Sequence, residues 1–183
     1  MKLLREVVIT VAIAVAVFFI LQLNIQSYIV MMSCMEPNIY DGECIMVNKA
    51  VYRHSDPQRG DVIVFDPPFE SLHPFIKRVI GLPGDTVEIK GGKVFINGTA
   101  LEEEYAKAPE YTMAATQVPD NEYFVLGDNR NDSNDSHNGW TVPRDNIIGK
   151  AWFVYWPPTK WKTIEHYRYP ELAESDEQAL VAS

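Results

Sequence analysis

The sequence predicts a mostly β domain, an antiparallel sheet following one N-terminal transmembrane helix. Three observations carry that expectation. An almost unbroken apolar run, "VVITVAIAVAVFFILQL", occupies residues 7–23. From Tyr28 onward no helical period persists, and short runs rich in Val, Ile and aromatic residues take over. Those runs are separated by Gly, Pro, Asn and Asp, the residues that suit turns. With 183 residues, 46% of them hydrophobic, the chain has room for one domain with a real core.

Taken in order, residues 1–6 form a short flank and residues 7–23 the expected anchor. Only Thr10 and Gln22 are polar in that run, which as a helix extends about 25 Å, just enough to cross a bilayer core. A cleavable signal would end in a small-x-small site, which "LQLNIQSY" lacks, and a core helix would show a polar face. Lys2 and Arg5 then place the N-terminus in the cytoplasm and the rest of the chain outside, with the lipid bilayer as a partner.

Residues 24–170 make the outer domain. Its expected strands are "YIVMM", "CIMVNK", "DVIVF", "FIKRVIG", "TVEIKGGKVFING", "EYFVLGD" and "IIGKAWFVYW". Within the fifth, Gly91 and Gly92 supply the positive φ angles of a tight hairpin turn. Pro67, Pro68, Pro109 and Pro119 fall in connections. Residues 171–183 carry Glu171, Glu174, Asp176 and Glu177 with no basic residue, which reads as a solvated, disordered tail.

A net charge of −9 with scattered Lys and Arg argues against nucleic acid as a partner. Two cysteines and four dispersed histidines offer no zinc spacing, so no metal is expected. Cys34 admits three readings: a nucleophile, half of a disulfide with Cys44, or a buried filler. In an oxidising compartment the disulfide is chemically open.

Three segments set polar groups among apolar or tightly turned ones: "SCMEP", "FIKRVIGLPGD" and "GDNRNDSNDSHNGW". Lys77 sits in the second, on a strand with Phe75, Ile76, Val79 and Ile80. Desolvating an amine penalises its ammonium form, and a neutral lysine can take a proton from a hydroxyl or thiol. Strand alternation equally allows Lys77 to face solvent, with Arg78 turned inward.

These segments resemble the type I signal peptidases, the bacterial leader peptidases, which are membrane-anchored endopeptidases with a Ser/Lys dyad. "MEPNIYDGECIMVNK", "RGDVIVF", "IKRVIGLPGDTVEI", "VFINGTAL" and "GDNRNDSNDS" follow that family's order and approximate spacing. The resemblance runs from the apolar segment to "IIGKAWFVYWP". It implies a mostly β peptidase domain at the outer face of the bacterial cytoplasmic membrane, cleaving signal peptides from exported preproteins without a cofactor.

Carried onto this sequence, the resemblance makes Lys77 the base and Ser133 the serine that orients it. Asp128, Arg130 and Asp135 match the polar scaffold. Val30 and Ile76 mark the strands beside which substrate adds as a further strand, with Met35, Ile39 and Phe75 walling pockets for small residues at the first and third positions before the cut. The nucleophile position holds Cys34, where the family has serine. Two further departures are His137, where the family usually has Arg, and Met32, which has no hydroxyl for an oxyanion. Ser33 is a rival nucleophile, but a one-residue shift on a strand turns its side chain to the other face. The expectation is a signal peptidase with reduced or altered activity; a silent preprotein-binding homologue is the alternative.

Overall fold

The computed structural model describes residues 2–172, apart from the side chains of Ile20, Leu21 and Leu23. The acidic tail expected over 171–183 lies outside the described residues beyond Leu172. A helix α1 (Lys2–Asn24) leads directly into twelve strands. Among the described residues, no helix is long and apolar enough to cross a membrane. This overturns the transmembrane helix expected at 7–23, the single-pass membrane localisation and the lipid bilayer as a partner. The expectation took Lys2 and Arg5 as a short flank outside the apolar run, whereas the structure carries both, with Glu6, inside α1.

The mostly β expectation agrees with the structure. The larger sheet runs β1 (Ile25–Ile29), β2 (Cys44–Asn48), β11 (Ile147–Trp156), β3 (Val62–Phe65), β4 (Phe75–Gly81), β9 (Glu122–Leu126), β10 (Val142–Pro143), with β12 (Lys162–Thr163) also paired to β11. The pairings are antiparallel throughout. The smaller sheet has the order β7 (Thr99–Ala100), β6 (Lys93–Ile96), β5 (Thr86–Lys90), β8 (Met113–Gln117). Gly91 and Gly92, at φ 58° and 74°, form the turn of the β5–β6 hairpin.

Burial explains the placement of these strands. Val62 and Val64 pack in one core with Val30, Met35, Ile39, Ile45 and Val154, while Ile63 and Phe65 pack in another with Val79, Val125 and Val142. A third core beneath the smaller sheet gathers Ile80, Val87, Ile89, Val94, Ile96 and Leu126. β4 touches all three cores and is covered on both faces, so neither Lys77 nor Arg78 reaches solvent.

Two differences from the expected strands bear on the site. The strand expected at 28–32 lies earlier, at Ile25–Ile29. Val30 still bonds across to Glu43 O and Gly42 N–H at 2.8 and 2.9 Å, and the chain turns away after it, where Met32 takes a positive φ of 72° and its N–H donates to Asp41 Oδ1 at 2.7 Å. β8 gave no apolar signal, since "MAATQ" is mostly exposed and is held by pairing with β5. β9 stops at Leu126, opposite Arg78, so Phe75–Lys77 have no ladder partner on that side among the described strands. The chain that follows turns toward residue 34, with the Asn129 N–H donating to the Cys34 carbonyl, and Asn131, Asp132, Ser133 and Asn134 line the same groove as Phe75–Lys77.

Candidate active site

Cys34 lies in a tight turn closed by Glu36 N–H on Ser33 O at 3.0 Å and Ile39 N–H on Met35 O at 2.9 Å. Its carbonyl accepts the Asn129 N–H at 3.0 Å, which ties this turn to the loop after β9. The thiol is 5% exposed and Lys77 3% exposed. Lys77 Nζ stands 3.0 Å from Cys34 Sγ and donates to Ile76 O at 3.0 Å. The thiol also lies 3.8 Å from Ile76 O. Among the described residues no carboxylate forms an ion pair with Lys77, so the amine faces sulfur and a carbonyl rather than an acid.

The alternatives for the cysteines resolve by position. Both are free thiols, so Cys34 and Cys44 form no disulfide. Ser33 turns away from Lys77 and donates to Asp132 Oδ2.

Ser133 reaches the same place from the other side. Its hydroxyl oxygen is buried and has no hydrogen-bond partner, Lys77 included. Gly127 explains how it comes so close: a Cβ built on Gly127 would stand 2.3 Å from Ser133 Oγ and 2.5 Å from the Cys34 carbonyl. Only a residue without Cβ lets these three meet.

The expected scaffold residues are buried and paired. Asp128, fully buried, accepts Arg78 Nε at 2.9 Å and Arg78 Nη2 at 2.8 Å, and Asn38 Nδ2 at 2.8 Å. Arg130 forms a two-pronged pair with Glu103 at 2.7 and 2.6 Å and donates to Gly127 O at 3.0 Å. Burial alone would lower the pKa of both arginines; the carboxylates beside them reverse this and raise it. Asp135 accepts the Gly127 N–H at 2.9 Å through one oxygen and lies 2.6 Å from His137 Nδ1 through the other. His137 stacks on Tyr111, with ring centroids 4.3 Å apart.

A groove of about 1200 Å³ opens along this edge, lined by Val30, Cys34, Phe75, Ile76, Lys77 and Ser133 among others. Met35 and Ile39 do not line it. They lie in the core beneath, 0% and 1% exposed. Sequence reasoning missed Asn38, Glu103, Tyr105 and Asn129. Glu103 sits in an acidic run that looks like ordinary surface, and only the fold carries it to Arg130. Asn38 was readable as a turn residue, but its two acceptors, Asp128 and the Tyr105 carbonyl, are 90 and 67 residues away.

An antiparallel sheet with an open strand edge, a groove along it, and a thiol beside a buried amine together describe a peptide hydrolase. The comparisons name which one. The sequence profile of the family described as "Signal peptidase, peptidase S26" matches residues 3–156, and the chain belongs to that family. It is 43% identical over 143 residues to "Probable signal peptidase I-1" of Synechocystis sp., covering 74% of this chain and 73% of that one. It is 47% identical over 131 residues to "Signal peptidase I" of Leptolyngbya laminosa, covering 67% and 64%. "Thylakoidal processing peptidase 1, chloroplastic" of Arabidopsis thaliana is 39% identical over 144 residues, covering 72% and 42%. The crystal structure of a signal peptidase I from Enterococcus faecalis V583 is 35% identical with a TM-score of 0.45, covering 52% of this chain and 97% of that one. The protein is a hydrolase of the signal peptidase I type.

Proposed function

We propose that the protein cleaves signal peptides from exported preproteins, with Cys34 as nucleophile and Lys77 as its base. The observation that carries this is the 3.0 Å contact between a buried thiol and a buried amine at the mouth of a peptide-sized groove. The peptidase unit is residues 24–170.

Substrate lies along the open edge of Phe75–Lys77 as an added strand, between that edge and residues 28–32. Val30, Phe75 and Ile76 wall the pockets, and Met35 and Ile39 support them from the core. Cys34 Sγ attacks the carbonyl carbon before the cut and its proton passes to Lys77. The oxyanion rests on the Cys34 N–H, which donates to no described acceptor, since Met32 offers no hydroxyl. Lys77 then protonates the departing amine, leaving a thioester that water hydrolyses. Ser133, whose buried hydroxyl has no partner before substrate binds, is free to accept a hydrogen bond from the lysine or the incoming water. Asp128, Arg130 and Asp135 hold the loop that presents it.

The spacing also bears on the cysteine itself. A separation of 3.0 Å is that of an N–H···O bond, and sulfur is larger, so the site has the dimensions of an oxygen nucleophile. From the tetrahedral adduct a thiolate also leaves more readily than an amine, which returns part of each encounter to substrate.

Purified protein incubated with a labelled preprotein tests the reading. Wild type releases mature protein slowly and Cys34→Ala releases none. Lys77→Met lowers the rate by about 10²–10⁴, and Cys34→Ser raises it. Retained binding with no mature protein from either wild type or Cys34→Ser would identify a silent preprotein-binding homologue instead.

A further inference from the structure

We infer that the acyl group carried by Cys34 is transferred to primary amines as well as to water, so that the protein is a transpeptidase in addition to a hydrolase. The inference rests on Cys34 being the nucleophile. Its chemistry follows from the atom at that position. When Sγ attacks the preprotein, the S–C bond forms and the scissile C–N bond breaks. The new amino terminus of the mature protein leaves with a proton from Lys77. What stays behind is a thioester of the signal peptide. Sulfur donates less electron density into a carbonyl than oxygen does, so a thioester is far more open to attack by nitrogen than an ester would be. An amine then forms a C–N bond at that carbon, the C–S bond breaks, and Lys77 carries the amine's proton to the departing sulfur. No oxidant or reductant enters.

Three features of the site bear on the second nucleophile. Cys34 and Lys77 are 5% and 3% exposed, so the second nucleophile, water or amine, reaches the thioester only along the groove. Ser133 Oγ, buried and unpartnered next to Gly127 and the Cys34 carbonyl, is a spare acceptor for the second hydrogen of the attacking nucleophile, amine as well as water. The groove wall on that side is polar, formed by Asn131, Asp132, Asn134, His137 and Asn138, with its negative charge on Asp132. Asp132 is exposed and accepts Ser33 through Oδ2 only, which leaves its charge facing incoming cations. Ammonium ions gather there and exchange with the neutral amine that reacts. An α-amine with a pKa of about 7.7–8.0 is roughly half neutral at pH 8.

The experiment adds glycinamide to the purified full-length protein and a preprotein at pH 8. It follows mature protein on a gel and the C-terminus of the released signal peptide by mass spectrometry. The expected result is a signal peptide ending in glycinamide, rising with amine concentration. Its ratio to the free carboxylate should be about tenfold or more above that of Cys34→Ser. Asp132→Asn lowers this ratio. Mature protein accompanied only by the free carboxylate overturns the transfer while leaving the nucleophile in place. No mature protein at all overturns the nucleophile assignment and the transfer with it.

Discussion

Gly127 has no functional group, yet the placement of both Cys34 and Ser133 depends on it. Its N–H is held by Asp135 at 2.9 Å, and the space where a side chain would begin is filled by Ser133 Oγ and the Cys34 carbonyl. Gly127→Ala is expected to push these groups apart. It should lower preprotein processing by about 10²-fold and stability by about 1–3 kcal/mol, read by a processing assay and by urea unfolding. Ser133→Ala tests a different property of the same cluster: it removes an unpaired buried hydroxyl, so stability should hold while processing falls. Of these residues, Cys34, Lys77 and Ser133 were legible as positions in a motif. Gly127 was not, because nothing in "LGDN" tells which atoms arrive from the turn at residue 34.

β4 and the end of β9 place the site. β4 is apolar enough to be read directly from the sequence, and Phe75–Gly81 is the strand observed. Which way Lys77 points was not readable, since alternation allowed either face. The structure covers both faces, and Arg78 is compensated by Asp128, by the Gly60 and Glu165 carbonyls at 2.9 Å, and by the Tyr105 ring at 4.3 Å. Asp128→Asn leaves Arg78 with a buried, underpaired charge and should destabilise the fold by about 3–5 kcal/mol. Arg78→Met with Asp128→Leu together should cost less than the sum of the single changes, because each single change strands the other partner. A double-mutant cycle in denaturant measures both. At the edge of the sheet, a local device redirects the chain after β1: Val30 makes the last backbone bonds across to residues 42–43, and Asp41 then captures the Met32 N–H.

Across the whole molecule, residues from distant segments meet in a second buried cluster that sets the response to acid. Asp61 receives Lys150 at 2.5 Å and Tyr52 at 2.8 Å, and His166 lies 3.6 Å from it while accepting the Val62 N–H. Burial first, then Lys150, pulls the His166 pKa down to about 4, against the opposing pull of Asp61. Below pH 6.5 the unfolded chain gains a proton there that the folded one refuses until about pH 4. The contribution of His166 to stability is therefore complete above pH 6.5 and is lost as pH falls toward 4. The urea midpoint should drop over that window, and His166→Gln, which keeps an acceptor but does not titrate, should drop less. The sequence by itself determined the β class, the Gly91–Gly92 hairpin and the family, because these rest on local composition, turn chemistry and ordered motifs. It misjudged α1, whose apolar run was read as a membrane span although no described helix is long and apolar enough to cross. Only the tertiary structure decided that Lys77 meets Cys34, that Ser33 meets Asp132 instead, that Met35 and Ile39 lie under the groove rather than along it, and that Glu103 answers Arg130. Each of these depends on which distant segments fold against one another, and no short stretch of sequence carries that distance.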